Sequence, residues 1–263
     1  MTTQCINGLA VEIDGEGEAL LCIHGLGGSS NTWTPLLAAL SGFKVIRPDL
    51  PGSARSALLQ QPLSIERYVA ALDGLLGSLK IESVHVMAHS LGTIVAQHLA
   101  VSHPDKVKSL ALFGPLVAPP EAARPNITAR AALARSGAAA MQEIADAIVK
   151  GATSKETKDQ QPAVLALVRE SVMRQSPEGY AQSCEALASA QSAAIEQIEV
   201  PTLLVTGDQD GVAPPVNVSA MASRIPGSRH VVFDNCGHWT TFEKPQRCMQ
   251  ELEQFYASLK LTS

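Results

Sequence analysis

The 263-residue chain has no long apolar run, no basic stretch and no closely paired cysteines, and each absence closes off a class of function. Nothing approaches the roughly 18–20 uninterrupted apolar residues of a membrane span. Lysine and arginine total 20 against 25 acidic residues, for a formal net charge of −5. With no basic stripe to neutralise a phosphate backbone, nucleic acid is not an expected partner. The five cysteines, Cys5, Cys22, Cys184, Cys236 and Cys248, are odd in number and form no C-x-x-C pair. That argues against a disulfide framework and against a zinc site. Residues 1–8 lack a basic region followed by an apolar one, so no secretory signal is expected, and the reading is a cytoplasmic protein with free thiols. There are no internal repeats, no low-complexity tail, and neither a G-x-x-x-x-G-K-[ST] nor a G-x-G-x-x-G phosphate loop.

What is present is an ordinary globular composition, 46% hydrophobic and 17% charged, in a chain long enough for one large α/β domain carrying an insertion. Segments 5–13 and 18–24 read as short strands joined by a hairpin turn at Asp14-Gly15-Glu16-Gly17. The apolar run Leu20-Leu21-Cys22-Ile23 suits a strand buried on both faces. It leads into a glycine-rich loop at 24–30, a helix over about 34–40 with Pro35 near its first turn, a strand at 43–47 and a turn-rich loop at 48–56. Ser64 opens a helix whose apolar residues Ile65, Val69, Leu72, Leu75, Leu76 and Leu79 follow the 3.6 period. A strand at 83–88, a helix at 91–102 stopped by His103-Pro104 and a strand at 107–113 continue the alternation. That order predicts an α/β fold, a mostly parallel central sheet with helices on both faces. The rhythm breaks at Gly114-Pro115. Residues 116–195 contain no convincing strand, and alanine-rich helical patterns near 127–137, 139–149, 163–173 and 179–190 predict an inserted helical cap. The core is then 1–115 and 196–263, with strands at 201–206 and 229–233 and helices near 215–223 and 245–259.

The sharpest local signal is Ala88-His89-Ser90-Leu91-Gly92, between a buried strand and a helix that starts at once. It fits G-x-S-x-G with alanine at the first position, and a strand that turns directly into a helix needs small residues two before and two after its tip. Ser90 then sits at a helix N-terminus, where free N–H groups favour negative charge. A serine hydroxyl needs a base with an oriented imidazole. Of seven histidines, only His238 lies in a loop directly after a predicted core strand near the C-terminus, and such loops gather at the sheet edge where Ser90 lies. A carboxylate should follow the strand at 201–206, where Asp208 and Asp210 both stand. One is expected to close the turn-rich loop, the other to face the imidazole. For a developing oxyanion the donors are the N–H groups of Leu91, next after the serine, and of Leu26 in the loop His24-Gly25-Leu26-Gly27.

These motifs resemble the α/β-hydrolase superfamily over the whole chain outside residues 116–195. His24-Gly25 resembles its oxyanion loop, Pro48-Asp49-Leu50-Pro51-Gly52 its P-D-x-x-G segment, and Ala88–Gly92 its nucleophile elbow. Gly207-Asp208-Gln209-Asp210 resembles the acid loop, in which the acting carboxylate is usually three residues after the glycine. Asp210 is thereby selected over Asp208. Gly237-His238-Trp239 resembles the histidine loop. Serine at 90 disfavours the dehalogenases and epoxide hydrolases of this fold, which use aspartate there. Ser176-Pro177-Glu178-Gly179-Tyr180 is similar to a segment of 3-oxoadipate enol-lactonases. The histidine loop also looks like that of carbon–carbon-bond hydrolases acting on ring-cleavage products.

The resemblance implies a serine hydrolase that cleaves a carboxylic ester or lactone of a small metabolite through an acyl-enzyme on Ser90. Asp210 and His238 complete the catalytic set, and no metal or organic cofactor is required. The protein would act as a monomer or small homo-oligomer. The alternatives are hydrolysis of a carbon–carbon bond with the same residues, and a slow-turnover ligand receptor on a hydrolase fold. Specificity is expected to lie in the cap. There Leu133, Met141, Ile144, Ile148, Leu165, Leu167, Val168 and Met173 either line an apolar pocket or pack the helices together. Arg124, Arg130, Arg135, Arg169 and Arg174 either hold a substrate carboxylate or form a solvated face.

Overall fold

In the computed structural model, which describes residues 2–259, the chain opens with a hairpin. Strands β1 (Thr2–Ile6) and β2 (Leu9–Asp14) pair antiparallel across Asn7-Gly8. Both turn residues have positive φ, 51° and 79°, the backbone of a two-residue type I′ turn. There follow β3 (Glu18–Ile23), a 3₁₀ segment at Ser30–Leu40, β4 (Phe43–Pro48), α1 (Ile65–Ser78), β5 (Val84–His89), α2 (Leu91–Ser102) and β6 (Val107–Phe113). Five helices come next: α3 (Arg124–Ala134), α4 (Ala138–Ala152), α5 (Lys155–Gln160), α6 (Pro162–Met173) and α7 (Pro177–Ser189). The chain then returns to the sheet through β7 (Thr202–Gly207), α8 (Pro215–Ala222), β8 (Arg229–Phe233), α9 (Thr240–Glu243) and α10 (Pro245–Leu259).

The eight strands form one sheet in the order β1-β2-β4-β3-β5-β6-β7-β8, and β2 alone runs against the rest. This corrects the hairpin expected at Asp14–Gly17. The chain does bend there, but β4 lies between β2 and β3, pairing Val11 with Pro48 on one side and Leu20 with Val45 on the other. The helix expected at 34–40 is a 3₁₀ segment that starts four residues earlier, capped by Ser29, whose hydroxyl accepts from the Asn31 N–H.

Alternate strand residues feed two cores. Leu21, Ile23, Val86, Ala88, Leu110 and Leu204 face α1 and α2, where Leu72, Leu76, Ile94 and Leu99 meet them. Leu20, Cys22, Met87, Phe113 and Val205 face Trp33, Leu36, Leu252 and Phe255 on the other side. A period of two along strands buried on both faces produces this division, and each large apolar side chain so buried contributes roughly 1.5–3 kcal/mol. A third cluster belongs to the helices between β6 and β7. Met141, Ile144, Val168 and Val172 pack there with Trp239 and Phe242, which arrive from beyond β8. All five cysteines are free and only Cys5 is exposed. Among the described residues no helix is long and apolar enough to cross a membrane.

Candidate active site

Ser90 is the single residue between β5 and α2, with φ 52° and ψ −122°. Such a backbone costs a non-glycine residue about 1–3 kcal/mol and persists only where the surroundings impose it. Here they do. The Ser90 N–H donates to the Phe113 carbonyl at 3.0 Å, and the Ser90 carbonyl accepts from the Thr93 N–H at 2.8 Å and the Thr93 hydroxyl at 2.7 Å. Thr93 Oγ1 in turn accepts from the Leu116 N–H at 3.1 Å, joining the elbow to the chain that leaves β6.

Parallel strands deliver their following loops to one edge of the sheet, and there His238 and Asp210 meet Ser90. His238 Nε2 lies 2.8 Å from Ser90 Oγ, and His238 Nδ1 lies 2.8 Å from Asp210 Oδ2. Asp210 is buried. Burial pulls its carboxyl upward, but the adjacent His238 and the N–H groups of Ala213 and Val212 outweigh it, and the net shift is downward. Both N–H groups reach Oδ1 at 2.8 Å. An ionised carboxylate only accepts, so Nδ1 carries the ring proton and Nε2 is left free to accept from the serine hydroxyl. Asp208 is exposed and accepts from the Cys236 N–H at 3.0 Å, closing the loop. Gly114 makes room for the pair. It has φ +55°, and a Cβ there would lie 2.9 Å from His238 Nδ1.

The loop after β3 approaches closely because residue 25 is glycine; a Cβ would stand 2.7 Å from that of Ser90. Among the described residues neither the Leu26 nor the Leu91 N–H has an acceptor. Leu26 lines one cavity with Ser90, and Leu91 opens α2, where the dipole adds to the donor. His24 locks the base of this loop. Its Nδ1 is 2.8 Å from the Gly25 carbonyl and its Nε2 accepts from the Leu50 N–H at 2.8 Å. Asp49, fully buried, accepts from the Ser30 N–H at 2.7 Å and from Arg55 Nε at 2.8 Å.

Several supporting residues carry no signal in the sequence. The carbonyls of Gly27 and Gly28 accept from Gln175 Nε2 at 3.3 and 3.1 Å, and Gly27 also from the Ser171 hydroxyl at 2.8 Å. The end of α6 thus holds the Leu26 loop. Glu243, 2% exposed, does the same for the histidine loop. Oε2 accepts from the N–H groups of Ser154 and Gly237 and the hydroxyl of Thr157, and Oε1 from the Trp239 N–H. The His238 N–H donates to the Ala152 carbonyl at 2.9 Å, and the His238 carbonyl accepts from His89 Nε2 at 2.8 Å. Burial, then the neighbouring His238, lowers the His89 pKa to about 3, so that ring is neutral and donates through Nε2. The elbow pentapeptide therefore holds the backbone of the histidine that faces Ser90.

Ser90 and His238 open on a cavity of about 260 Å³ whose walls include Leu26, Ile148, Trp239 and Arg130. Of the apolar residues expected either to line a pocket or to pack helices, Ile148 reaches this cavity. Met141, Ile144 and Val168 are buried among the helices, with Leu133 and Met173 against them, and Leu167 is exposed.

Comparison with known proteins agrees with this architecture. An enol-lactonase from Burkholderia xenovorans LB400 superposes with a TM-score of 0.88 at 28% identity, covering 97% of this chain and 100% of its own. A thermophilic esterase from Thermogutta terrifontis, solved with malate bound, gives 0.89 at 26% identity, covering 98% and 97%. In sequence, the 2-hydroxy-6-oxononadienedioate/2-hydroxy-6-oxononatrienedioate hydrolase 2 of Pseudomonas putida is 28% identical over 252 residues, 87% of this chain and 84% of that one. The family described as alpha/beta hydrolase fold matches residues 18–245. With the match spanning both halves of the sheet and the helices between them, the chain belongs to the α/β-hydrolase fold family.

Proposed function

We propose that the protein hydrolyses a carboxylic ester or lactone of a small molecule through an acyl-enzyme on Ser90, with residues 116–195 as the cap that selects the substrate. The observation that carries this reading is the unbroken relay Ser90 Oγ–His238 Nε2–His238 Nδ1–Asp210 Oδ2, with both contacts at 2.8 Å.

His238 Nε2 takes the Ser90 proton as Oγ attacks the carbonyl carbon. The carbonyl oxygen becomes an oxyanion and accepts from the N–H groups of Leu26 and Leu91, donors that have no other acceptor to leave. The imidazolium is stabilised by ionised Asp210 and returns its proton to the leaving alkoxide as the carbon–oxygen bond breaks. A water then enters, gives a proton to His238 and attacks the acyl carbon; collapse returns that proton to Ser90 and frees the acid.

Ser90→Ala should reduce turnover of p-nitrophenyl esters by orders of magnitude with the fold intact. Wild-type-like activity in that variant would sink the assignment. The Pseudomonas relative supports a second reading, carbon–carbon bond hydrolysis with the same residues. Rapid bleaching of a coloured ring-cleavage product, with slow ester turnover, would favour it. A burst of a single turnover with tight ligand binding would instead favour a receptor.

A further inference from the structure

The cavity at Ser90 has a neighbour. Between the segment that leaves β6 and helix α8 lies a surface groove of about 320 Å³, walled by Leu116, Val117, Ala118, Pro120, Ala220 and Met221. Its lining is otherwise Pro115, Asn217 and Arg224, and Arg224 is already paired with Glu196 at 2.7 Å. A groove with this lining has no uncommitted charge to offer and suits an alkyl chain.

Among the described residues Leu116 is the one that belongs to both walls, for it also lines the cavity of about 260 Å³ that holds Ser90 and His238. The partition there is one residue thick, and its backbone is clamped. The Leu116 N–H donates to Thr93 Oγ1 at 3.1 Å, and the Leu116 carbonyl accepts from Gln97 Nε2 at 2.7 Å. Thr93 and Gln97 are both buried on α2, and Gln97 Nε2 also donates to the Thr93 carbonyl at 2.7 Å. Prolines at 115, 119 and 120 fix φ on either side. What divides cavity from groove is therefore a side chain on a backbone that cannot swing aside. Elsewhere on its wall the cavity meets solvent, at Val212, which lines it and is 42% exposed.

We infer that Leu116 is the chain-length stop of the serine cavity, and that the groove beyond it is a latent subsite for the alkyl chain of an ester. With Leu116 in place, a chain that outgrows the cavity meets this side chain or leaves past Val212 into water. Neither route covers further apolar surface, so added methylenes bring little affinity. With the side chain cut back, the chain crosses into the groove and lies against Val117, Ala220 and Met221. There each methylene contributes, up to about fourfold in affinity when fully buried. The substrate class is thus an ester or lactone with a short apolar chain, and one position decides how short. This rests on the ester or lactone reading above, and adds where the substrate ends and the residue that ends it.

The test uses Ser90→Ala protein, which binds without turning over, titrated calorimetrically with methyl butanoate and with methyl octanoate. The two esters differ by four methylenes. In this parent their affinities should lie within a few-fold of each other. Adding Leu116→Ala should raise the affinity for the octanoate about 10–100-fold relative to the butanoate. Adding Ala220→Phe as well, which fills the groove at a position that does not line the serine cavity, should take that gain back. Leu116→Val, the fallback if the alanine variant does not fold, should move the ratio the same way by less. A parent that already binds the octanoate 10-fold or more tightly would overturn the assignment. So would an unchanged ratio on shortening Leu116, binding of neither ester, or a gain that survives Ala220→Phe. Because the readout is binding, a wild-type protein that hydrolyses neither ester overturns the hydrolase reading and leaves the affinity ratios intact.

Discussion

Replacing Asp210 by asparagine keeps the shape of its side chain and changes what the side chain can do. An amide nitrogen at either oxygen position would point a donor at the donating N–H groups of Val212 and Ala213 or at His238. Turned to satisfy the backbone, it forces the imidazole into the tautomer with no lone pair toward Ser90. Asp210→Asn should therefore lower kcat on p-nitrophenyl esters by about 10³–10⁴-fold, whereas Asp208→Asn, which touches only the Cys236 N–H, should stay within a few-fold of wild type. Ser90, Asp210 and His238 were legible because each stands in a short motif at a strand end. Gly114, His89 and Glu243 were not. Gly114 reads as the break that ends the sheet rhythm, while the structure uses it to admit the His238 ring. His89 is the unspecified second residue of the elbow, and nothing local says that its ring will meet the His238 carbonyl.

At the scale of elements, periodicity identified most of the longer strands and helices, but it ran β1 and β2 together as one strand at 5–13, across the Asn7-Gly8 turn that pairs them antiparallel. It could not reveal α5 and α9, of six and four residues, which are too short for one and form only in tertiary context. Nor could it order the strands. Asp14–Gly17 has the composition of a turn and is one, but composition marks a bend without saying which strand lies alongside. The overlooked pieces matter, because α9 supplies Glu243 and the start of α5 supplies the Ser154 N–H and the Thr157 hydroxyl that Glu243 accepts from. Glu243→Gln leaves buried N–H groups facing an amide nitrogen, and each unsatisfied donor costs about 1–3 kcal/mol. The variant should melt roughly 5–10 °C lower, and its kcat should fall at temperatures well below the melt. An unchanged melting temperature, read by circular dichroism, would mean that the carboxylate is not holding the histidine loop.

For the whole molecule, two imidazoles tie stability to pH. His24 and His89 are both buried, and burial depresses both pKa values, for His89 to about 3. An unfolded histidine titrates near 6.5. Below that pH the unfolded chain binds protons that the folded chain refuses, so this stability is complete above about pH 6.5 and is lost as the pH falls. The slope reaches about 1.4 kcal/mol per pH unit for each group. His85 and His230 are depressed by burial as well and add to it. Asp49 and Asp210 are held below the ordinary carboxylate range and titrate later. The melting temperature should thus decline between pH 7 and pH 5; a flat profile down to about pH 4.5 would contradict the buried neutral rings.

The bonds from Ala152, Ser154, Ser171 and Gln175 to the loops around Ser90 also bear on how such a protein can diversify. A specificity module that merely rested on the core could be exchanged between relatives, changing the substrate and sparing the rate. Here the same helices hold the loop that carries Leu26 and the backbone of His238. A change that shifts α4 or α6 will move the Leu26 loop and His238 with them. Grafted helices from another hydrolase should therefore yield folded chimaeras that bind and turn over slowly, until second-site changes at 27–28 or 237–243 restore the register between recognition and chemistry.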